Sequence, residues 1–376
     1  MSTLDPDQLN RATLQRQMLL RRESATVSDI VRRIVALQAQ SPPAPYIALW
    51  NRVASLNFDT VDQAYADRSL VKASLMRITL HAVDAADYPA FHSASTPILR
   101  AARLNDRRYR STGLTTEDAD RAVPRLLDFL QTPRSKTEIL DHFAAEFSDQ
   151  PRLWWALKTY APLVHSPTGS PWSFDSDTHY EQAPTLDRPP VDDALQLLVR
   201  RYLAGFGPAT IADFAQFSLQ PMSTARPAFE AIRDELVTHT TIDGDELFDL
   251  SDAPDLPDPD TPAPPRLMAM WDSILLAYRD RSRIIPDHYR SHVIRRNGDV
   301  LPTVLIDGRV AGVWNTGPDG IKIGALEPIH PGTRDALDDE ARRLYVALAD
   351  RGHNIVGRTG TWWPKLPITS THQVTP

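Results

Sequence analysis

Cysteine is absent from this chain of 376 residues, which excludes disulfides, thiolate zinc sites and cysteine-bound iron–sulfur clusters. Lysine is scarce, since only 5 of the 41 basic residues are lysines and the rest are arginines. Long apolar runs are missing too, and none approaches the ~18 residues that a membrane span requires. The N-terminus is polar and does not have the pattern of a signal peptide. From these absences we expect a cytoplasmic protein.

Sequence motifs for the common cofactors and catalytic centres are absent as well. We find no Gly-x-Gly-x-x-Gly, P-loop, His-Glu-x-x-His or Gly-x-Ser-x-Gly pattern. His288 and His292 are four residues apart, but no carboxylate lies between them at metalloprotease spacing, so a surface pair is the favoured interpretation. The sequence therefore predicts neither a metal site nor a cofactor, and any enzymatic activity is expected to be metal-free.

The net charge of −7 argues against a protein that coats DNA over its whole surface, because duplex binding uses Lys and Arg to displace counterions. The charge is, however, unevenly distributed. Residues 1–110 contain 15 Lys and Arg against 10 Asp and Glu, whereas residues 241–265 contain eight acidic and no basic residues. This asymmetry predicts one DNA-facing surface in the N-terminal half and an acidic face turned to solvent.

Hydrophobic periodicity divides the chain into three similar helix-rich units, a linker and a C-terminal segment. In each unit two short helices, a third helix and a turn-linked strand pair follow one another, an order that predicts a winged helix-turn-helix. The fold class is therefore expected to be α+β, mainly α. The predicted boundaries are 1–113, 114–190 and 191–253 for the winged-helix units, 254–265 for a linker rich in Pro and Asp, and 266–376 for the C-terminal α/β segment.

Several local predictions follow from the same periodicity. One helix is predicted over Val27–Leu37 and another over Arg266–Tyr278. A strand meander is predicted over Val300–Leu326, and the residues after Trp363 are expected to form a loose tail.

Residues 34–50 have the most informative local pattern in the chain. An amphipathic helix ends there in Gln38-Ala39-Gln40, and the double proline Pro42-Pro43 follows. Because a residue before proline is driven out of the α region, Gln38 is expected in or near the last helical turn and Gln40 just past it. If the helix unwinds there, both amides can point at one spot, where they can orient a water and stabilise developing charge. The triplet Gln15-Arg16-Gln17 is interpreted instead as an ordinary polar helix face.

The second informative pattern is an Asp-Gly pair between two apolar runs in Thr303–Trp314. Asp-Gly predicts a tight type I′ hairpin turn, because both residues tolerate positive φ. Two interpretations stay open. The hairpin can be a structural cover for the core, or it can present Arg309 at an exposed tip that enters a DNA groove.

Four separated blocks of the sequence resemble the AlkZ-type winged-helix DNA glycosylases, and they occur in that family's order. The blocks are Leu37-Gln38-Ala39-Gln40 followed by Pro45-Tyr46-x-x-Leu49-Trp50, then Gly205-Phe206-Gly207-Pro208-Ala209-Thr210-x-x-Asp213-Phe214, then Leu275-Leu276-Ala277-Tyr278-Arg279-Asp280-Arg281, and finally Asp307-Gly308-Arg309-x-x-Gly312-x-Trp314.

The resemblance implies tandem winged helices that form a concave, C-shaped DNA-binding surface. By position it implies that Gln38 and Gln40 are the catalytic glutamines. A related branch of the family has Asp in the second place, so this chain resembles the self-resistance branch. The expected DNA-contacting residues belong to the hairpin, to the arginine-rich turn before it and to a basic cluster near the first domain boundary: Asp307, Gly308, Arg309, Trp314, Arg279, Arg281, Arg107, Arg108 and Arg110.

The resemblance also implies a function, which is the monofunctional, metal-independent excision of N7-alkylated purines from double-stranded DNA. Some members unhook interstrand crosslinks made by DNA-alkylating natural products. We expect a monomer that has no cofactor and no membrane partner. The alternative is a non-catalytic winged-helix DNA-binding protein, such as a transcriptional regulator. The helix predicted over Arg152–Tyr160 disfavours this alternative, because it carries Trp154 and Trp155 in place of the Arg, Asn or Gln that read base edges.

Overall fold

The computed structural model describes residues 2–352, 355 and 359–375, and within these residues helices alternate with short strands. The helices are α1 (Pro6–Arg16), α2 (Val27–Arg33), α3 (Ala44–Trp50), α4 (Phe58–Ala66), α5 (Tyr88–Leu104), α6 (Arg107–Arg110), α7 (Thr116–Phe129), α8 (Lys136–Phe143), α9 (Gln150–Tyr160), α10 (Val191–Phe206), α11 (Ile211–Ser218), α12 (Met222–Glu230), α13 (Asp287–Val293), α14 (Pro331–Leu348) and α15 (Thr359–Trp362).

The strands are β1 (Thr3–Leu4), β2 (Leu37–Gln38), β3 (Leu70–Ser74), β4 (Leu80–Asp84), β5 (Arg134–Ser135), β6 (Leu163–Ser166), β7 (His179–Gln182), β8 (Leu236–Thr241), β9 (Glu246–Leu250), β10 (Arg266–Leu267), β11 (Thr303–Ile306), β12 (Arg309–Gly317), β13 (Gly320–Ala325) and β14 (Ser370–Val374). They form three three-stranded sheets, ordered β2-β4-β3, β5-β7-β6 and β1-β8-β9, and one five-stranded sheet, ordered β10-β11-β12-β13-β14. The α+β class is confirmed. The division into three winged-helix units stays a prediction.

Local sequence signals explain why the helices begin where they do. Thr115 and Asp118 form a reciprocal capping box at the start of α7, and Ser135 and Glu138 form another at the start of α8. Each box satisfies backbone N–H groups that have no partner inside the helix. Both helix starts are thus specified by residues that lie three positions apart in the sequence.

The hydrophobic cores do not follow the predicted domain boundaries. Residues 99–180 have a core of their own, centred on Phe143 and Trp154. In contrast, Leu14 of the first predicted unit shares a core with residues of the third unit and of the C-terminal segment. Buried ion pairs cross the same boundaries, since Arg52 pairs with Asp272 at 2.8 Å. Breaking such a pair leaves an uncompensated buried charge, so these parts of the chain are held in fixed relative positions.

Two predictions for the C-terminal segment are wrong. The apolar run over Arg266–Tyr278 is not a helix but the short strand β10 and a single 3-10 turn at Ser273–Leu275. A short, fully buried apolar run has no periodicity that separates helix from strand, which explains the error. The residues after Trp363 are not a loose tail either, because β14 pairs antiparallel with β13 and so forms one edge of the five-stranded sheet. Residues 353, 354, 356–358 and 376 of this segment lie outside the described residues.

The interpretation of Gln15-Arg16-Gln17 as a polar helix face is also wrong. Gln17 is fully buried, its Nε2 donates to Gly205 O at 2.8 Å, and its Oε1 accepts from Arg52 at 3.3 Å. Arg16 is buried as well and pairs with Asp249 at 2.6 Å. This triplet therefore joins α1 to the core instead of facing solvent.

Candidate active site

The segment Gln38-Ala39-Gln40 is not helical, because Gln38 is the last residue of the strand β2 and Gln40 lies in a bend just after it. α2 ends at Arg33, and Val35, with a φ of 73°, turns the chain out of the helix before the double proline is reached. The predicted place of Gln38 in or near the last helical turn is therefore wrong. β2 pairs with β4 so that Gln38 lies opposite His81, and the backbone N–H of Ala39 donates to Leu80 O at 2.8 Å. Both glutamines thus lie beside β4 at one edge of this sheet.

The unusual backbone at Val35 depends on close packing against α10. A Cβ atom on Gly205 would lie 2.9 Å from Val35 Cγ2 and 3.0 Å from Arg33 O. Any other residue would therefore push α10 away from the segment that leads into the glutamines. Ser273 supports the same segment from the C-terminal part of the chain, because its Oγ donates to Ala36 O at 2.7 Å. Two distant parts of the sequence thus fix the course of the chain before Gln38.

The amide oxygens of both glutamines are held by the protein. Gln38 is buried, with 5 % of its surface exposed, and its Oε1 accepts from Arg77 Nη2 at 2.9 Å. Gln40 is exposed, and its Oε1 accepts from the backbone N–H of Leu80 at 3.1 Å. Because a guanidinium and a backbone N–H can only donate, these contacts determine which end of each amide is the oxygen. Each oxygen keeps one lone pair for a water, and each NH₂ group points away from its anchor.

His81 completes this arrangement as a neutral imidazole. Its ring is fully buried, and burial together with the neighbouring Arg77 lowers its pKa well below the usual value. Its Nδ1 lies 3.1 Å from Thr79 O, which can only accept, so Nδ1 carries the proton. His81 is thus no proton donor toward the glutamines. Sequence reasoning missed both Arg77 and His81, although both lie in the polar part of the predicted strand hairpin.

Two arginines, Arg77 and Arg281, give this side of the site a positive charge. Burial and the charge of Arg281 lower the pKa of Arg77 to about 10, and burial and the charge of Arg290 lower the pKa of Arg281. The Nε of Arg281 is buried and has no hydrogen-bond partner among the described residues. Arg279, in contrast, is exposed, and its backbone N–H donates to Asp213 Oδ1 at 2.8 Å. An exposed guanidinium such as that of Arg279 is suited to phosphate groups.

The Asp307-Gly308 hairpin turn has the predicted type I′ geometry, with φ of 46° and 76°, but its tip is not free. A Cβ atom on Gly308 would lie 2.5 Å from Asn10 Oδ1, so the tip packs directly on α1. Asp307 pairs with Arg11 at 2.5 Å. The tip is therefore exposed only in part, because Gly308 is buried against α1 whereas the side chain of Asp307 stays exposed.

The side chain of Arg309 is committed to this docked hairpin. Its guanidinium donates to Ser282 O at 3.0 Å, to Arg283 O at 3.3 Å and to Asp7 Oδ1 at 2.6 Å. It joins the hairpin to the arginine-rich turn and to the start of α1. An Arg309 side chain that entered a DNA groove would have to give up these three bonds. The structure therefore favours the interpretation of the hairpin as a cover for the core.

Trp314 lies in the core and cannot contact DNA, so its expected role is wrong. It is fully buried on β12, and its Nε1 donates to Met268 O at 2.9 Å. β12 lies between β11 and β13, and the ring of Trp314 belongs to the same hydrophobic core as residues of α3 and α14. Buried indole N–H groups usually find such a backbone acceptor. The presence of a bulky aromatic in a short motif gives no indication of the face it occupies.

The basic cluster near the first boundary is at the surface. Arg107, Arg108 and Arg110 are exposed on the one-turn helix α6. Arg108 pairs with Asp106 at 2.7 Å and lies 4.6 Å from the ring centre of Trp155. Whether these arginines contact DNA stays a prediction.

Other features of the described residues do not offer a competing centre. An open groove of about 800 Å³ lies between the β8–β9 hairpin and the 279–290 segment, and its lining contains six acidic residues against four arginines. The excess of acidic residues disfavours an anionic substrate. Among the same residues there is no group of three or more His, Asp and Glu that could hold a metal ion, and no helix is long and apolar enough to cross a membrane.

Comparison with known proteins identifies the family of this chain. Residues 31–346, and with them the glutamine pair, match the family model described as DNA glycosylase AlkZ-like. The chain belongs to this family of DNA glycosylases. Among curated proteins it is 28% identical over 323 residues to the interstrand DNA cross-link repair glycosylase of Streptomyces sahachiroi, with 80% of this chain and 85% of that protein covered. The solved structure of the Streptomyces sahachiroi DNA glycosylase AlkZ matches with a TM-score of 0.78 at 23% identity, over 94% of this chain and 98% of that one.

Proposed function

We propose that this protein is a monofunctional DNA glycosylase that hydrolyses the N-glycosidic bond of N7-alkylated purines in double-stranded DNA, with Gln38 and Gln40 as its catalytic residues. The observation that carries the proposal is the pair of anchored amides, Gln38 at the end of β2 and Gln40 just after it, on a segment that lies within the family match. The proposal includes interstrand crosslinks and bulky adducts of a DNA-alkylating natural product as substrates, because the Streptomyces sahachiroi relative is named for crosslink repair.

The chemistry of the substrate explains why neutral amides suffice. An N7-alkylated purine is already cationic, so it departs with the electron pair of the C1′–N9 bond and needs no proton from the enzyme. The sugar develops oxocarbenium character, and a water must be held against C1′. The free lone pairs of Gln38 Oε1 and Gln40 Oε1 can accept the two O–H bonds of that water, which directs a water lone pair at the sugar. After the C–O bond forms, the proton passes to solvent.

The exposure of the site suits a large or tethered lesion. Most glycosylases rotate the damaged nucleotide into a closed pocket. A base that is linked to both strands cannot rotate out, so its glycosidic bond must be reached in place. Gln40 is exposed and Gln38 lies two residues before it on an edge of the β2-β4-β3 sheet. Catalytic groups on an open edge of this kind can approach a duplex that stays stacked.

The experiment is the release of free base from defined duplexes. The purified protein in EDTA is incubated with a duplex that contains one N7-methylguanine, and separately with a duplex that contains an N7-linked interstrand crosslink. We expect free N7-methylguanine, an abasic strand that breaks only after alkali, and separation of the crosslinked strands. Binding of the alkylated duplex without base release would instead support the non-catalytic DNA-binding alternative. Release that requires zinc or magnesium would contradict the metal-independent mechanism.

A further inference from the structure

Arg77 occupies the turn between β3 and β4 in a backbone conformation that arginine rarely adopts. Its φ is 56° and its ψ is 19°, and the next residue, Ile78, also has a positive φ of 60°. Non-glycine residues in this region persist only where surrounding contacts determine them. The contacts of the Arg77 side chain hold it in this conformation.

The guanidinium of Arg77 donates to three acceptors from different parts of the fold. Nη1 donates to Phe217 O at 2.7 Å, and Nη2 is 2.9 Å from Gln38 Oε1 and 3.2 Å from His81 Nε2. Phe217 lies in the last turn of α11, where unpaired carbonyl groups carry partial negative charge. The ring of Phe217 also lies 5.2 Å from the guanidinium carbon. Arg77 thus joins the end of α11 to the glutamine segment.

The protonation state of His81 determines which atom donates in its hydrogen bond with Arg77. Because Thr79 O requires the proton on Nδ1, the Nε2 atom of His81 has a lone pair and accepts from Arg77. All three acceptors of Arg77 are therefore neutral. No carboxylate pairs with Arg77 within the part of the chain that the structure describes. Its orientation is set by hydrogen-bond geometry, which a planar guanidinium provides and an ammonium does not.

We propose that Arg77 is a positioning residue that fixes the amide of Gln38 in its catalytic orientation and makes that orientation depend on the placement of α11. The proposal rests on the proposed glycosylase function. Without Arg77, the amide of Gln38 can rotate by half a turn and exchange its oxygen and nitrogen ends. A rotated amide presents NH₂ where the attacking water needs an acceptor. The role of Arg77 is then exerted through Gln38 and not through DNA phosphates.

The test is a double-mutant cycle of Arg77→Ala and Gln38→Ala, with single-turnover release of N7-methylguanine as the rate and binding of an abasic duplex as the affinity. We expect Arg77→Ala to slow release about 10- to 100-fold, the equivalent of one charged hydrogen bond, and to change affinity about twofold or less. In the Gln38→Ala background, Arg77→Ala should change the rate about twofold or less, because both variants remove the same oriented amide. Arg77→Lys keeps the charge but cannot serve the three acceptors together, so it should restore little of the rate.

Controls separate this role from folding and from general charge. Arg200→Ala removes a half-buried arginine of α10 that pairs with Glu235 at 2.7 Å, and it should leave the rate unchanged. If Arg77→Ala unfolds, Arg77→Lys is used in the same cycle. The positioning role would be overturned if Arg77→Ala slowed release by the same factor in the Gln38→Ala background as in the unmodified protein. Full activity of Arg77→Lys would also overturn it. Base release by the unmodified protein supports the glycosylase function in either case, whereas no release by it refutes both proposals.

Discussion

Replacement of the two glutamines by alanine should slow catalysis strongly and lower stability by different amounts, because Gln38 and Gln40 are held by different groups. Gln38→Ala removes a buried amide oxygen and leaves one N–H of Arg77 without that acceptor, which should lower the free energy of unfolding by about 1–3 kcal/mol. Gln40→Ala removes one bond from an exposed side chain to the backbone N–H of Leu80, and about 0.5–1.5 kcal/mol is expected. Loss of both amides should slow excision by about 10²-fold or more, which is about 2.7 kcal/mol of transition-state stabilisation.

The assay is single-turnover release of N7-methylguanine with enzyme in excess, accompanied by urea unfolding and by binding to an abasic duplex. Binding should change little, since the amides act on the water and the sugar. Gln131→Ala is the matched control, because Gln131 is exposed and bonds only to Asp128 among its described neighbours. Gln17 is unsuitable as a control, since it is buried and structural. A double variant that is folded, binds the abasic duplex and retains the unmodified rate would refute the assignment of these glutamines.

Three further predictions concern Arg309, covalent trapping and pH. Arg309→Ala should lower the free energy of unfolding by about 1 kcal/mol, since it removes three hydrogen bonds to neighbouring groups, and excision should persist. A flatter salt dependence of DNA binding in this variant, measured by titration, would instead support an Arg309 side chain that enters a DNA groove. Borohydride should trap no covalent protein–DNA adduct. Lys72 lies over the ring of Phe174, and on the strand β3 it occupies the face opposite to Ala73, which pairs with His81; a trapped adduct would contradict the monofunctional mechanism. Burial lowers the pKa of His81, His92 and His165, to about 4 in His92, so below about pH 6.5 the unfolded chain binds more protons than the folded chain and stability is lost as the pH falls. Urea titrations should show lower stability at about pH 5.5 than at about pH 7.5, by about 1.4 kcal/mol from His92 alone, and an unchanged midpoint would contradict a neutral folded-state imidazole.

Features that depend on neighbouring residues were determined by the sequence itself. The capping boxes at Ser135 and Thr115 start α8 and α7, and Asp307-Gly308 adopts the type I′ turn, because each signal lies within one helical turn or one hairpin. The family was equally readable, since its motifs are short and occur in order. The glutamine pair itself was found this way, although its catalytic role stays a prediction.

Features that depend on packing were decided only by the tertiary structure. Arg77 meets Gln38 across 39 residues of chain, and Arg11 meets Asp307 across 296. No local pattern specifies such partners, because which side chain fills a given space depends on all the elements around it. For the same reason Trp314 could be recognised in a motif but not assigned to the core. The sequence thus determined which amides are candidates for catalysis, whereas packing against α10 decided the course of the chain before them and Arg77, held by α11, decided the direction of the Gln38 amide.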